Sequence, residues 1–149
     1  MIIQLEHIRI FVKEVMEKIS NLPTSNKATV VFLSGDLGSG KTTFTKTFAC
    51  ECGIQEDITS PTFVILKRYE IASHDVFDGR FKNLIHIDAY RLKSYEELQK
   101  IKFEKYLADS ANIILIEWPE MVNNEKLVAD ISLQFTHGDM ENERVVEII

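Results

Sequence analysis

Cysteine, cationic charge and long apolar runs are all scarce in this sequence. Its only cysteines, Cys50 and Cys52, stand one residue apart, and no second pair completes a four-thiolate zinc site. They read as helix residues in a reducing compartment. Lys and Arg together number 17 against 23 Asp and Glu, a net charge of −6. That balance argues against a protein that grips nucleic acid by itself, because phosphate binding needs concentrated Lys and Arg. Any nucleic acid is expected to be met through a partner. The longest apolar runs, Thr29 to Leu33 and Ile113 to Ile116, fall far below the length that spans a bilayer, so no membrane segment is expected. Met1 to Ile10 carries Glu6 and a single Arg, without the basic start and apolar stretch of a secretory signal, which leads to the expectation of a cytoplasmic protein.

What is present suits one ordinary core. The chain has 149 residues, 45% of them hydrophobic, and is read as a single domain over residues 1–149. Ile8, Phe11, Val12, Val15, Met16 and Ile19 recur at helical spacing, so about Leu5 to Ser20 reads as an amphipathic helix. A turn-rich connection with Pro23 follows. Ala28 to Leu33 is a continuous, β-branched apolar run of the kind found in a strand covered on both faces. Lys41 to Cys52 has no Pro or Gly, keeps Phe44 and Phe48 one turn apart, and reads as a helix closed by Gly53. Thr62 to Ile71 and Phe81 to Ile87 are strand-like runs that a long hairpin would join across the polar loop Ala72 to Arg80. Tyr95 to Leu107 reads as helical, Ala111 to Ile116 as a buried strand, and Ala129 to Phe135 with Arg144 to Ile149 as a closing pair.

Between the first strand and the Lys41 helix lies Gly35-Asp36-Leu37-Gly38-Ser39-Gly40-Lys41-Thr42, which fits G-x-x-x-x-G-K-S/T with the strand-before, helix-after context that the motif requires. Its glycines let the backbone turn tightly, so that successive N–H groups and the positive end of the helix dipole face phosphates. Lys41 is expected to reach the β and γ phosphates of ATP, and Thr42 to offer its hydroxyl to Mg²⁺. With this loop the pattern predicts an α/β fold: a single P-loop NTPase domain built on a mixed, mostly parallel β-sheet flanked by α-helices.

Two apolar strands end in an acid: Leu84-Ile85-His86-Ile87-Asp88 and Ile113-Ile114-Leu115-Ile116-Glu117. Ligands of open α/β sheets collect at the carboxyl ends of strands, so both acids are expected to face Lys41 and Thr42. Either fits a second metal contact, and either alone fits a solvated strand end. The assignment made is Glu117 as the main metal-side carboxylate, directly or through water, with Asp88 supporting metal or water. Thr59-Ser60-Pro61-Thr62-Phe63 stands where nucleotide switches place a segment that senses the γ-phosphate, and it reads equally as a hydroxyl-rich turn into a strand.

Four stretches together, Gly35 to Thr43, Thr59 to Phe63, His86-Ile87-Asp88-Ala89-Tyr90-Arg91-Leu92 and Ile116-Glu117-Trp118-Pro119-Glu120, carry a resemblance. In order and spacing along the whole chain they resemble the TsaE (YjeE) family, and the H-x-D-x-Y-R-L and E-W-P pieces are far more specific than the phosphate loop. That resemblance implies a bacterial ATPase needed for making threonylcarbamoyladenosine beside the anticodon of tRNAs that read codons beginning with A, active in complex with TsaD and TsaB. It implies ATP or ADP with Mg²⁺ at residues Gly35 to Thr43, Lys41 and Thr42 on phosphate and metal, Glu117 at the metal, and Asp88 needed for turnover. Thr59, Ser60 and Thr62 would then belong to a switch-like loop and Trp118 to a second switch, although a lone Trp is usually packing. Tyr90 and Arg91 look like the start of a helix or loop after a strand, and Arg91 fits equally a phosphate contact, a brace for Asp88 or a partner contact. Departures lie at the ends: no Ser or Thr caps the helix at Leu5, and Asp139 follows Gly138 where relatives often carry Arg. Two rivals stay open, a small-molecule kinase and a scaffold stabilised by ATP without hydrolysis. Against the first, no segment after Lys93 carries the several arginines of a kinase lid.

Overall fold

A computed structural model describes residues 1–59 and 64–149, with only the backbone considered at Leu5. The expected switch residues Ser60 and Thr62, like the first two residues of the expected strand Thr62 to Ile71, lie outside the described residues.

The chain begins with strand β1 (Ile2–Gln4), a 3-10 turn over Leu5–His7 and helix α1 (Ile8–Ser20). Strand β2 (Thr29–Gly35) leads into helix α2 (Lys41–Glu51). Strands β3 (Leu66–Glu70) and β4 (Asn83–Asp88) flank a 3-10 turn at Val76–Gly79, and helices α3 (Tyr95–Lys100) and α4 (Phe103–Leu107) follow. Strand β5 (Asn112–Glu117), a 3-10 turn at Pro119–Val122, and strands β6 (Ile131–His137) and β7 (Glu143–Ile148) complete the order. The strands form one seven-stranded sheet in the order β1-β7-β6-β2-β5-β4-β3. Its centre, β6-β2-β5-β4, is parallel. Strands β7 and β3 run antiparallel to that centre, and β1 pairs antiparallel with β7. The expected hairpin is the β3–β4 pair, with Leu66 opposite Ile87. The expected closing pair is β6–β7, with Phe135 opposite Val146.

Period-two alternation decides which side of the sheet each strand residue serves. Val31, Leu33, Leu84, Ile113, Leu115 and Leu133 pack with α1 and α2 through Phe11, Val15, Phe44 and Phe48. Val30, Ile85, Ile87, Ile114 and Ile116 pack on the other side with Tyr95, Leu98, Phe103 and Val122. Both faces are thus covered, which explains why the central strands read as unbroken apolar runs. The six buried apolar residues of α1 lie on one stripe, and each such side chain contributes about 1.5–3 kcal/mol on leaving water.

Three expectations about local structure need correction. The first helix starts at Ile8 rather than Leu5, after the 3-10 turn, with His7 at the cap making no side-chain bond to it. The three residues before the turn form β1, which buries Ile3 and leaves Ile2 and Gln4 outward, a segment too short for alternation to reveal. The helix expected over Tyr95 to Leu107 breaks at Lys102, whose φ is +60°. A continuous helix would carry Tyr95 and Phe103 about 12 Å apart along its axis. The break turns the second segment back, and the two rings meet edge to face at 6.3 Å.

Candidate functional site

Asp88 and Glu117 close their strands side by side, paired across the β4–β5 ladder, and Glu117 is opposite Leu33 of β2. Two residues further β2 ends at Gly35, so the loop to α2 springs from the same edge as both acids. Odd-numbered β5 residues and even-numbered β4 residues face the α2 side, so both carboxylates lie on the face of the helix that opens with Lys41 and Thr42.

Gly35 cannot be replaced without strain. Its φ is +142°, and an added Cβ would stand 2.2 Å from the Phe135 carbonyl oxygen of β6. Gly35→Ala is therefore expected to lose about 2 kcal/mol or more of stability, read as a lower urea midpoint at unchanged slope. Gly40 holds φ +109° immediately before α2, where the backbone must reverse to start the helix.

Lys41 is 5% exposed. Its ammonium donates to the Gly35 carbonyl, to the Asp36 carbonyl at 2.8 Å and to Ser39 Oγ at 3.4 Å. It also stands 4.4 Å from the centre of the Trp118 ring. Burial pushes its pKa below the ordinary lysine value, and the carboxylates of Glu117, Glu120, Asp36 and Asp88 pull it back. The loop thus folds around a cation that gains from an anion. Thr42 Oγ1 donates to Glu117 Oε1 at 3.2 Å. The other oxygen of Glu117, Oε2, lies 2.9 Å from His86 Nε2. Glu117 is 2% exposed and Asp88 7%. The Tyr90 N–H donates to Asp88 Oδ1 at 3.0 Å, and the Asp88 N–H donates to the Ile65 carbonyl at 2.9 Å, so both ends of this residue are held.

Trp118 takes a left-handed conformation, φ +58°, directly after β5. Its N–H donates to the Leu33 carbonyl at 3.2 Å, and Pro119 then opens a 3-10 turn. This turn throws the indole back over the site, where it meets the half-exposed Tyr90 ring at a centroid distance of 5.0 Å. A lone tryptophan that would ordinarily pack in a core instead roofs a cavity of about 400 Å³. Gly38, Gly40, Lys41, Thr42, Thr43 and Leu37 line it from the loop, Asp88, Tyr90, Glu117 and Trp118 from the strand ends, and Arg144 from β7. Among the predicted residues, Thr59 and Arg91 are exposed and are not in this lining, and neither are Gly35, the exposed Asp36 and the buried Ser39.

Two side chains that lie outside the sequence motifs are brought here by the structure. Arg144 Nε donates to the Gly38 carbonyl at 3.2 Å, and the same side chain donates to the carbonyls of Glu141 and Glu143 at 2.7 Å each. Nothing local in the sequence signals this contact, which depends on β7 lying two strands from β2. His137 Nε2 lies 3.2 Å from the Leu37 carbonyl, so the β6–β7 hairpin touches the loop at two points. His86 did carry a signal: it alternates with Asp88 on one face of an apolar strand.

The donor set consists of hard oxygens, the Thr42 hydroxyl and the Glu117 and Asp88 carboxylates. It suits Mg²⁺, which takes one or two carboxylates and completes its shell with waters and phosphates. Among the described residues no group of three or more His, Cys, Asp or Glu is placed to hold a metal on protein ligands alone. These donors fit a metal that completes its shell with waters or a bound anion. No helix among the described residues is long and apolar enough to cross a membrane.

Residues 8–146 match the family described as threonylcarbamoyl adenosine biosynthesis protein TsaE. A Haemophilus influenzae protein named tRNA threonylcarbamoyladenosine biosynthesis protein TsaE is 35% identical over 139 residues, 93% of this chain and 80% of that one. A Rickettsia felis protein of the same name is 37% identical over 121 residues, and the match spans 80% of this chain and just under two thirds, 64%, of the relative. The crystal structure of Bacillus subtilis YdiB superposes with a TM-score of 0.62 at 28% identity, covering 97% of this chain and 78% of that one. The H-x-D and E-W-P stretches, the loop they surround and the near full-length match lead to one conclusion: this chain belongs to the TsaE family.

Proposed function

We propose that the chain is an ATPase for threonylcarbamoyladenosine formation on the tRNAs that read codons beginning with A. In this reading it binds ATP with Mg²⁺ in the cavity under Trp118 and hydrolyses it in complex with TsaD and TsaB, in the cytoplasm. The tRNA is met only through that complex. The observation that carries the reading is the convergence of Lys41, Thr42, Glu117 and Asp88 on one cavity beneath a glycine loop.

Each residue then has a task. Backbone N–H groups of Gly38 to Thr43 cradle the phosphates at the start of α2. Lys41 exchanges the carbonyls of Gly35 and Asp36 for phosphate oxygens, so the cation already desolvated by the fold finds its counter-charge. Thr42 and Glu117 hold the metal side, and Asp88 orients water or metal-bound water. Mg²⁺, when bound, neutralises charge building on the γ-phosphoryl group. Trp118 and Tyr90 exclude bulk water from above, which strengthens every charge interaction below them. Thr59, Ser60 and Thr62 are proposed to close over the γ-phosphate, and Arg91, exposed beside Tyr90, to meet a partner. The electrostatic positioning that turnover requires is thus prepared here and completed by the partner proteins, as in P-loop switches that turn over slowly alone.

The test is phosphate release by the purified chain, alone and with TsaD and TsaB. Release of inorganic phosphate, at least tenfold faster with the partners and with no phosphorylated small molecule formed, is the expected result. A phosphorylated product would favour a kinase. Retention of unhydrolysed ATP through a single turnover of the assembled complex would favour a scaffold.

A further inference from the structure

His86 is fully buried on β4, between Leu84, which is in the core, and Asp88, which lines the cavity. Its cross-strand neighbours are Leu115 on β5 and Lys67 on β3. A leucine would satisfy such a position by packing alone. The imidazole instead places Nε2 at 2.9 Å from Glu117 Oε2. A carboxylate only accepts, so Nε2 carries the hydrogen and donates, and in the neutral ring Nδ1 is left as an acceptor. Among the described residues Nδ1 has no hydrogen-bond partner. Leaving a buried acceptor unpaired costs about 1–3 kcal/mol, so the fold tolerates a loss to keep this one donor behind Glu117.

The two oxygens of Glu117 are then not equivalent. Oε2 is tied to a ring locked in the interior, while Oε1 accepts from the Thr42 hydroxyl at 3.2 Å. A carboxyl group turns easily about its terminal torsion, which has only a broad preference. With Oε2 pinned, that torsion is set and Oε1 is aimed at Thr42 and the cavity. We infer that His86 is the positioning residue for Glu117, fixing through its Nε2–Oε2 bond the carboxylate oxygen that faces the metal. The inference rests on the nucleotide and magnesium reading of the site. A group that orients a ligand from behind is typically worth about ten- to a hundredfold in metal affinity or activity.

Three substitutions separate this role from packing. His86→Leu keeps bulk and removes the donor; His86→Asn keeps polarity, but its amide matches Nδ1 and cannot reach Glu117; His86→Gln places an N–H near Nε2. For each full-length variant, binding of a fluorescent ADP analogue is measured in EDTA and across a magnesium titration, with thermal melting as the check on folding. The expected result is nucleotide affinity in EDTA equal to wild type, a magnesium midpoint raised about tenfold or more in His86→Leu and His86→Asn, and recovery to within about threefold in His86→Gln. Placed on Glu117→Ala, His86→Leu is expected to move the midpoint no further, because its effect passes through that carboxylate. A folded His86→Leu or His86→Asn with the wild-type midpoint overturns the inference, and so does a His86→Gln as impaired as the other two. Those outcomes leave the nucleotide reading standing, whereas a wild-type protein without magnesium-dependent nucleotide binding removes both.

Discussion

Lys41→Ala is expected to abolish nucleotide binding while leaving the protein folded. The ammonium is one of few charges taken inside the molecule, and its present partners are two loop carbonyls, a hydroxyl and an indole face. None of these is an anion in direct contact, and burial has already lowered its pKa. The sign of that shift matters. A lysine whose folded pKa lies below its unfolded value costs stability wherever it is protonated in both states, and the cost fades only as pH rises toward the unfolded value. Lys41 is therefore an under-compensated cation, which the proposed phosphate oxygens would offset.

Removing one partner of such a buried, hydrogen-bonded charge pair costs about 2–5 kcal/mol, or about thirty- to several-thousand-fold in Kd. Thermal melting reads it directly. At about a hundred times Kd, nucleotide stabilises the wild type by about 2.7 kcal/mol, a rise of about 5–10 °C for a chain of this size. Lys41→Ala should keep at most about a third of that rise at the same concentration, from a baseline Tm close to wild type. A variant that binds within threefold of wild type would sink the assignment of Lys41 to the phosphates.

Much of this site is legible in the sequence because it is written in local patterns. The strand, glycine loop and helix of β2 to α2 announce themselves in one unbroken stretch from Thr29 to Glu51, and each acid ends an apolar strand whose length fixes its place in the sheet. The one assumption needed, that β4 and β5 end at the same edge as β2, follows from parallel pairing. What is not legible depends on distant partners. Trp118 reads as packing until the left-handed turn after Glu117 is seen to aim its ring at Lys41. Arg144 reaches Gly38 across 106 positions of chain. The break at Lys102 is hidden for another reason: residues on both sides have helical spacing, and only the meeting of Tyr95 with Phe103 against the sheet favours two short helices over one. Propensity in such a segment is outvoted by burial.

Glu117→Ala should have the opposite signature to Lys41→Ala: nucleotide bound, turnover lost. In EDTA, the carboxylate is a negative charge beside the place proposed for the phosphates, and it is among the acids facing Lys41. Its removal relieves like-charge repulsion, so nucleotide affinity without metal should be unchanged or tighter. With Mg²⁺, the variant loses the carboxylate oxygen that shares the Thr42 hydroxyl, and the partner-stimulated rate should fall about a hundred- to a thousandfold, the order of loss when one charge-stabilising group is removed from a catalytic site. Glu117→Gln separates charge from shape, since its carbonyl can still accept from His86 while its charge is gone. If charge is what counts, Glu117→Gln should be nearly as slow as Glu117→Ala. A Gln variant with wild-type turnover would mean that Glu117 serves as a hydrogen-bonded strut, and Asp88, the neighbouring acid on the same edge, would have to carry the metal side.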